Sequence, residues 1–407
     1  MKPRIMILGV GAFAHSIMQI LRDDGAEVSC YLTRECGHLG ATSVGKTWKQ
    51  REHPSPIPII HKWKPDVIIP MSIDWHNEPW ANKLKVPIFC PSGEAIKIER
   101  DRDFARDLCV KYQIPHPKTY LAKNKLDALE ILRNDPRPYV LKNPFCSPES
   151  PIRVTVCKSV EDTYEWLNRI DFSEGVFLQE YLGEEEIGHF VFIANGNIQS
   201  LVTNWEYKHA FTGDMGPLAS APLGGLAEQD SNDKYNLTKK LVSPLLPWLK
   251  KIKFCGPLQV SAIKNGGKWH VIEYNARLGV TTNMLLLRML KNPAEVIIAF
   301  AKGKKIKPLW YSQKKWGCAL TLAGYGYPYP KSIKSVKLPI SISANLDCDL
   351  WWNEVNKIND KLFTDGHRIA EVAAIADSKS EAVKKAYENI KKIQCLGSYY
   401  RLDIGKL

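Results

Sequence analysis

The chain has 407 residues, of which 44% are hydrophobic and 24% charged, and its formal net charge is +13. This composition is ordinary for a globular protein; the positive charge favours anionic ligands without specifying a fold, and no apolar run reaches the roughly 18–20 residues that span a bilayer. The 10 cysteines form no C-x-x-C pair, so we expect reduced thiols in a cytoplasmic protein, with neither a structural zinc site nor a disulfide framework.

The first 92 residues alternate between apolar strands and amphipathic helical segments. In chain order, the predicted elements are a strand over 4–10, a turn and helix over 11–25, a second strand over 26–33, and further strands over 65–72 and 86–92. Strands separated by helices are typical of a parallel sheet with helices on its faces. We therefore predict a small doubly wound α/β domain at the N-terminus.

The segment GATSVGKT (Gly40–Thr47) fits the phosphate-binding pattern G-x-x-x-x-G-K-[ST]. That loop works only where a strand leads into it and a helix follows, because the start of the helix directs its N–H groups to the phosphates. Pro54, Pro56 and Pro58 leave room for only a short helix. We therefore expect Gly40–Thr47 to be a surface loop of the first domain and not the nucleotide site.

A second glycine pattern, GVGAFA with Gly9, Gly11 and Ala14, fits the dinucleotide fingerprint. A dinucleotide site also expects an acidic residue about 20 positions on, at the end of the second strand. This strand ends at Arg34, and Glu35 is displaced from the expected position. The pattern therefore gives only weak support for NAD binding.

The rest of the chain combines antiparallel strands with helices. The predicted elements are a charged helix over 94–114, strands over 137–145 and 151–159, a helix over 159–170, strand pairs over 175–207 and 256–279, helices to about residue 300, strands over 317–328 and 368–376, and a helix over 378–393. Asn195-Gly196-Asn197 predicts a tight hairpin turn, and Ser378 with Glu381 predicts a capping box. The fold class is therefore α/β at the N-terminus and α+β after it.

Side chains that suit a phosphate site occur in two of these strands. Lys142 ends the apolar stretch YVLK, and Glu273, Asn275 and Arg277 alternate along a later strand. Because side chains alternate across a strand, those three share one face. Carboxylate and amide oxygens suit Mg²⁺, and a guanidinium neutralises phosphate oxygens. The same alternation is equally typical of an exposed polar edge strand, so the residues by themselves leave both interpretations open.

An ordered series of motifs runs through nearly the whole chain. The segments and the patterns they match are Gly9–Ile17 with G-x-G-G-R-E-H-A-L, Arg102–Arg106 and Gln113–Pro115 with S-K-x-F-A-K and G-I-P-T, Val140–Lys142 with V-V-K, Glu180–Glu186 with E-x-x-L-x-G-x-E, Tyr207–His209 and Gly213–Pro217 with H-K-R and G-D-x-G-P, Glu273–Gly279 with E-F-N-x-R-F-G, Gly324–Pro328 with G-G-Y-P-G, and Tyr400–Gly405 with Y-R-x-D-I-G. By these motifs the chain resembles the ATP-grasp superfamily, and within it the phosphoribosylamine–glycine ligase family.

The resemblance implies a domain organisation and a set of site residues. The implied domains are an N-terminal α/β domain over 1–92, an ATP-grasp domain over 93–315 with a lid over about 118–182 and two antiparallel sheets around ATP, and a small C-terminal α+β ligase domain over 316–407. The residues implied for ATP are Arg102, Lys142, Glu180, Tyr181, Leu182 and Glu186, and those for Mg²⁺, with Mn²⁺ as an alternative, are Glu273 and Asn275. The implied catalytic residues are Arg277, Lys208 and Asp214, and those implied for substrates are Gly11, His15, Gly216, Pro217, Arg401 and Asp403.

The activity implied by the resemblance is the ATP-dependent joining of a small-molecule carboxylate to an amine through an acyl phosphate, in purine biosynthesis. We expect a monomer or dimer with no nucleic-acid or membrane partner. The basic charge alone would fit a nucleic-acid binder, but the sequence has no helix-turn-helix or RNA-binding signature.

Three segments depart from the family's patterns. NPFCSPESPIR (143–153) replaces the glycine-rich lid, with Arg153 as the candidate for the missing lid lysine; LASAPLGG (218–225) replaces N-T-G-G-M-G-A-Y-S-P; and VTTN (280–283) replaces D-P-E-T. The last two are substrate-side segments in the family, so a paralogous ligase for another amino acid and amine is one alternative. The altered lid leaves a second alternative, a nucleotide-binding protein with impaired catalysis.

Overall fold

The computed structural model describes residues 2–34, 37–146, 150, 152, 154–219, 221–329 and 332–406. Two residues considered above, Glu35 and Arg153, lie outside these ranges.

The N-terminal domain contains a parallel sheet with the order β3-β2-β1-β4. Its elements are β1 (Arg4–Val10), α1 (Gly11–Asp23), β2 (Glu27–Arg34), α2 (Leu39–Val44), β3 (Lys46–Lys49), α3 (Ile57–Trp63) and β4 (Val67–Pro70). The central strand RIMILGV is almost wholly apolar because helices cover both faces of such a sheet. The predicted parallel sheet is confirmed, although the strand predicted over 86–92 is reduced to one parallel bridge between Ile68 and Ile88.

The segment Gly40–Thr47 is a helix followed by a strand, so the predicted surface loop is wrong. Its first part is α2 and its last part begins β3, which is the reverse of the strand-then-helix order of a phosphate loop. Both glycines have packing roles. A Cβ on Gly40 would lie 2.4 Å from His15 Cβ, and a Cβ on Gly45 would lie 2.3 Å from the carbonyl oxygen of Val28.

The region expected as the lid, about 118–182, contains a separate antiparallel sheet, here called the lid sheet, with the order β5-β8-β6-β7. The elements of this region are α4 (Lys97–Arg100), α5 (Arg102–Lys111), β5 (Thr119–Ala122), α6 (Lys125–Asn134), β6 (Tyr139–Lys142), β7 (Thr155–Val156), α7 (Val160–Leu167) and β8 (Val176–Glu180). The single helix predicted over 94–114 is broken at Asp101, whose carboxylate accepts the N–H groups of Asp103 and Phe104 and so caps α5.

A second antiparallel sheet of eight strands forms the body of the molecule, with the order β15-β14-β9-β10-β13-β16-β21-β18. The first elements here are β9 (Glu186–Ala194), β10 (Asn197–Glu206), β11 (His209–Phe211), β12 (Met215–Leu218), β13 (Gly224–Gln229), α8 (Leu246–Lys251), β14 (Cys255–Asn265), β15 (Lys268–Asn275), α9 (Thr282–Met289) and α10 (Pro293–Ala301). The predicted β9–β10 turn is confirmed, with positive φ at Asn195 (49°) and Gly196 (85°). Strand β8 pairs with β5 and β6 rather than with β9, which corrects the pairing expected over 175–207.

The C-terminal region continues the eight-stranded sheet. Its elements are β16 (Trp316–Ala323), β17 (Pro339–Ile342), β18 (Asp349–Trp352), β19 (Val355–Ile358), β20 (Lys361–Thr364), β21 (Arg368–Ala376), α11 (Lys379–Ile390) and β22 (Ile393–Cys395). Three of these strands extend the sheet across the boundary expected at 315/316, and four others form a sheet of their own with the order β19-β20-β17-β22. Ser378 Oγ accepts the N–H of Glu381, as its position in a capping box predicts.

The remaining short helical segments are 3₁₀ or π turns, over Ile73–Asn77, Ala81–Lys83, Gly93–Ile96, Thr238–Val242 and Ser243–Leu245. The main core lies between the parallel sheet and one face of the eight-stranded sheet, where α1, α9 and α10 contribute apolar side chains. None of the described helices is long and apolar enough to cross a membrane.

Candidate active site

The candidate site lies where the lid sheet approaches the edge strand of the large sheet. The Lys142 ammonium, at the end of β6, donates to the carbonyl oxygen of Ile272 in β15 at 3.4 Å. Gln179, in β8, donates to the same carbonyl at 3.2 Å. These two bonds tie both lid strands to the backbone beside Glu273, so residues separated by about a hundred positions in the sequence become neighbours.

Glu273 is the centre of a cluster of cations. Its Oε1 lies 3.5 Å from Lys208 Nζ, and its Oε2 lies 3.8 Å from Arg102 Nη1. Arg102 also donates from Nε to the carbonyl oxygen of Asn143 at 2.9 Å, which fixes the guanidinium at the end of β6. The structure therefore brings together four of the residues named from the sequence, namely Arg102, Lys142, Lys208 and Glu273.

The charges in this cluster shift one another's pKa values. Burial alone would raise the pKa of Glu273, but the charges of Lys208, Lys142 and Arg102 hold it far below its usual range. Burial, helped by the charge of Arg102, lowers the pKa of Lys142 to about 8. Glu273 is therefore ionised at neutral pH, whereas Lys142 begins to lose its proton at moderately alkaline pH.

Lys208 lies among three carboxylates. Its Nζ is 2.7 Å from Glu186 Oε1 and 4.0 Å from Glu206 Oε2, in addition to its contact with Glu273. Burial acts to lower the pKa of Lys208, but these three carboxylates raise it above its ordinary value. Lys208 therefore carries a fixed positive charge that joins β9, β10 and β15.

Asn275 follows Glu273 at the end of β15, whereas Arg277 lies two residues beyond the strand, so the expectation that it belongs to the same strand is wrong. Arg277 Nη2 lies 3.2 Å from Glu99 Oε1 and donates to Asn275 Oδ1 at 3.5 Å. Glu99 is buried in α4, and its other oxygen accepts the N–H of Ala276 at 2.5 Å. Glu99 thus fixes the two residues that follow β15, Ala276 and Arg277. The sequence analysis missed this role.

A small pocket, of about 40 Å³, opens beside this cluster, between α5 and the two sheets. Its apolar lining includes Ala105, Phe177 and Tyr274, and its polar lining includes Arg102 and Gln179. Its lining therefore combines apolar side chains with charged and polar groups that could orient a small molecule.

Three of the residues implied for ATP, Glu180, Tyr181 and Leu182, directly follow Gln179 in the chain but do not line this pocket. Glu180 accepts from Arg137 at 2.5 Å, and the N–H of Tyr181 donates to the carbonyl of Pro138 at 3.0 Å. The carbonyl oxygen of Leu182 accepts from Asn265 at 2.9 Å. The first two contacts lie within the lid region, and the third joins it to the β14–β15 hairpin.

A second group of predicted residues lies at the β11–β12 hairpin. Arg401 is buried and donates to both oxygens of Asp403, at 2.9 and 2.6 Å, while its Nη2 lies 2.8 Å from Asp214 Oδ1. Gly216 and Pro217 are in β12, and the carbonyl of Gly216 is bonded to the His209 ring at 2.8 Å. This hairpin clamp (Asp214, Arg401 and Asp403) fastens the chain end to the hairpin.

Two further predicted residues lie in the first domain. Gly11 is the first residue of α1, and His15 is one turn further along the same helix. His15 Nδ1 accepts the backbone N–H of Trp352 in β18 at 2.8 Å, and burial lowers the pKa of His15 to about 4. The ring is therefore neutral and joins the first domain to the C-terminal region.

The donor set near Glu273 suits a metal ion that is shared with a nucleotide. Among the described residues, no group of three or more His, Cys, Asp or Glu side chains could hold a metal ion by itself. Mg²⁺ commonly takes one or two protein oxygens and completes its shell with phosphate oxygens and water. The carboxylate of Glu273 and the amide oxygen of Asn275 fit that pattern.

The sequence analysis also missed a buried polar network on the same face of the large sheet. Glu206 Oε1 accepts from the Thr282 hydroxyl at 2.9 Å and lies 3.5 Å from the amide nitrogens of Asn204 and Gln259. The alternation of Asn204 and Glu206 along β10 was the available signal. Their partners, Gln259 and Thr282, come from distant parts of the chain.

Two family models match most of the chain. Residues 100–282 match the ATP-grasp (A) domain of phosphoribosylglycinamide synthetase, and residues 317–407 match its C domain. The phosphoribosylamine–glycine ligase of Caldanaerobacter subterraneus subsp. tengcongensis is 30% identical over 340 residues, covering 78% of each chain. The corresponding enzyme of Thermotoga maritima is 25% identical over 417 residues, covering 99% of each.

Solved structures agree with this assignment at the level of the fold. The Thermotoga maritima phosphoribosylamine–glycine ligase has a TM-score of 0.80 at 23% identity and covers 98% of this chain and 100% of that chain. The biotin carboxylase domain of the Hydrogenobacter thermophilus 2-oxoglutarate carboxylase, solved with MgADP, has a TM-score of 0.70 at 12% identity and covers 98% and 92%. On the matched models and the 30% identical relative, the chain belongs to the phosphoribosylamine–glycine ligase (phosphoribosylglycinamide synthetase) family of ATP-grasp proteins.

Proposed function

We propose that the protein joins the carboxylate of glycine to the amine of phosphoribosylamine, with hydrolysis of ATP to ADP and phosphate. The substrate pair is the one named by its relatives. The observation that carries the proposal is the convergence of Lys142, Lys208 and Arg102 on Glu273, because three cations around a metal-binding carboxylate can neutralise a triphosphate.

The nucleotide would lie between the two sheets. Lys142 and Arg102 would hold its phosphates, and the base would enter beside Phe177 and Gln179, with Glu180, Tyr181 and Leu182 facing it from the segment that follows. Glu186 would bind the ribose hydroxyls after exchanging its contact with Lys208. Glu273 and Asn275 would hold Mg²⁺, with Mn²⁺ as an alternative ion; the bound ion supplies charge neutralisation at the phosphates.

The reaction would proceed in two balanced steps. A carboxylate oxygen of the amino acid attacks the γ-phosphorus, the bond to the β-phosphate oxygen breaks, and ADP leaves. The amine nitrogen then attacks the acyl carbon, phosphate leaves, and the amine loses a proton. Arg277 and Lys208 would stabilise the charge on the transferred phosphoryl group and Asp214 would face the amine side, because such catalysis depends largely on positioning and electrostatics.

The substrates would be framed by Gly11 and His15 from the first domain and by residues of the β11–β12 hairpin and the chain end. Those residues are Gly216, Pro217, Arg401 and Asp403. The proposed domains are 1–92, 93–315 and 316–407, with the lid at about 118–182. We also propose a cytoplasmic monomer or dimer that binds no nucleic acid.

A paralogous activity is the second candidate. Leu218, Ala219, Ala221 and Val280 stand where the family has hydrogen-bonding segments. Sites that lose such groups recognise the original ligand less well, because buried polar groups of the ligand are left unpaired. This observation favours a changed amino acid or amine while ATP is retained.

An ADP-release assay distinguishes the glycine ligase, the paralogous ligase and the nucleotide-binding protein with impaired catalysis. The protein is incubated with ATP and Mg²⁺, and amino acids are tested against phosphoribosylamine and other amines. ADP release that requires both glycine and phosphoribosylamine supports the proposal, and ADP release with a different pair only supports the paralogue. ATP binding without turnover for any pair would identify a nucleotide-binding protein with impaired catalysis.

A further inference from the structure

Thr281, directly before α9, has an unusual backbone conformation. Its φ is 68° and its ψ is −99°, and the residue is fully buried. A positive φ is rare for a β-branched side chain and persists only where surrounding contacts impose it. The conformation of the loop between β15 and α9 is therefore imposed by contacts from another part of the chain.

Those contacts come from two buried side chains of β21. Glu371 accepts the N–H of Thr281 at Oε2 (3.1 Å) and its hydroxyl at Oε1 (2.7 Å). Arg368 Nη2 donates to Glu371 Oε1 at 2.6 Å and to Thr281 Oγ1 at 3.2 Å. The two side chains are only 4% and 2% exposed, so this charge pair is shielded from water.

The next residue connects the loop to the candidate active site. The Thr282 hydroxyl donates to Glu206 Oε1 at 2.9 Å, and the other oxygen of Glu206 lies 4.0 Å from Lys208 Nζ. Lys208 in turn lies 3.5 Å from Glu273. A continuous polar path therefore runs from β21 to the cation that faces the metal-binding carboxylate.

This path enters the site from the side opposite to Lys142. Glu206 is in β10, which is separated from β15 by β14 and β9, whereas Lys142 reaches β15 from the lid. Arg368 also donates from Nη2 to the carbonyl oxygen of Pro222 at 2.7 Å and from Nη1 to that of Ala221 at 3.4 Å, so the pair in β21 holds these two residues as well as Thr281.

We propose that Glu371, supported by Arg368, is a positioning residue for the carboxylate substrate. It imposes the conformation of Thr281, and with Arg368 it fixes Thr281, Ala221 and Pro222, which belong to the two segments on the substrate side. This inference rests on the proposed ligase function, and it assigns substrate positioning to a strand outside the ATP-binding segment that the family model matches.

Glu371→Gln tests the inference, because it keeps the shape of the side chain and removes its charge. We expect KM for the carboxylate substrate to rise about tenfold, as for loss of a buried hydrogen bond to a charged group, while KM for ATP changes by less than about twofold. Thr281→Ser keeps the hydroxyl and should behave like the wild type, whereas Thr281→Val lacks it and should resemble Glu371→Gln. Glu388→Gln, at a half-exposed pair on α11, is the matched surface control.

A purely structural role would lower the melting temperature and leave both KM values of the folded protein unchanged, and that result would overturn the proposal. So would a parallel rise in both KM values. If Glu371→Gln does not fold, the same two KM values measured for Thr281→Val test the proposal.

Hydrogen exchange of a peptide covering residues 278–284 separates this inference from the proposed function. Exchange should be faster in Glu371→Gln than in the wild type, and equal exchange would overturn the inference even if the ligase assay succeeds. If the wild type shows no ligase activity but exchange is faster, the proposed function fails while the structural path stands.

Discussion

Lys208 Nζ lies 3.5 Å from Glu273 Oε1 across the face of the large sheet. Because Lys208 also contacts Glu186 and Glu206, one ammonium joins the carboxylate assigned to Mg²⁺ with the one assigned to ribose. Removing the charge of Glu273 should therefore affect the metal and the surrounding cations together.

Glu273→Gln keeps the shape of the side chain and removes its charge. We expect kcat/KM to fall by about 100-fold or more, in the range seen when one electrostatic contact to the transition state is lost. Magnesium titrations should show a higher half-saturating concentration and at best partial rescue. Glu185→Gln, at a mostly exposed carboxylate paired with Lys264, is the control; an unchanged magnesium requirement in Glu273→Gln would refute the metal assignment.

Lys142 should make ATP use sensitive to moderately alkaline pH. Its pKa in the folded protein is about 8, so kcat/KM for ATP, which reports the free enzyme, should fall as the pH rises above 8. Lys142→Arg should lose that decline, because a guanidinium stays charged. A wild-type profile that is flat between pH 7 and about 9.5 would contradict the placement of Lys142 against the phosphates.

The same pKa predicts the opposite trend for stability. The unfolded chain holds the Lys142 proton up to its ordinary value of 10.5, whereas the folded protein releases it near 8. Folding therefore becomes more favourable as the pH rises through this window, by up to about 3 kcal/mol for this group. The difference in unfolding free energy between the wild type and Lys142→Met, measured from pH 7 to about 10, should show that rise.

The segment Gly40–Thr47 should be dispensable for ATP binding. Lys46 begins a strand of the parallel sheet, and Gly40 is required by its contact with His15 rather than by a phosphate. Lys46→Ala should leave the ATP Kd within about twofold, whereas Lys142→Ala should weaken it about tenfold or more. Calorimetric titration with a non-hydrolysable ATP analogue measures both, and the reverse pattern would restore the phosphate-loop interpretation.

The hairpin clamp should contribute mainly to the unfolding free energy of the protein. Arg401 is buried between the carboxylates of Asp403 and Asp214, so Arg401→Met leaves them without their counter-ion. We expect a loss of about 3–5 kcal/mol of unfolding free energy, against less than about 1 kcal/mol for Asp214→Asn at its half-exposed position. Unchanged stability would contradict the clamp, and a raised substrate KM would then support only the proposed place of Arg401 beside the substrates.

Local patterns predicted much of the fold. The Asn195-Gly196 turn and the Ser378 cap depend on residues close together in the chain, and alternation alone placed Glu273 and Asn275 on one strand, which ends before Arg277. The strand expected over 86–92 failed for a local reason as well. Pro87 and Pro91 lack the N–H groups that a ladder needs, so only one bridge forms there.

Long-range partners were beyond sequence reasoning. Glu99 binds Arg277 although 178 positions separate them, and Thr281 meets Glu371 across 90 positions. Each of these pairs depends on how separate elements pack, and no periodicity along the chain encodes that packing. The phosphate-loop pattern at Gly40–Thr47 was misleading because packing, and not a phosphate, requires its glycines. Gly40 packs against His15, and Gly45 packs against Val28.

The position of a labelled carboxylate oxygen after the reaction shows whether an acyl phosphate forms. Glycine labelled with ¹⁸O in its carboxylate is turned over with ATP, Mg²⁺ and phosphoribosylamine, and the released phosphate is analysed by mass spectrometry. Transfer of the γ-phosphoryl group to the carboxylate predicts one labelled oxygen in each phosphate, and Glu273→Gln should form labelled phosphate about 100-fold more slowly or less. Phosphate released at the wild-type rate without label would mean that water, and not the carboxylate, attacks ATP, and would contradict the proposed ligase chemistry.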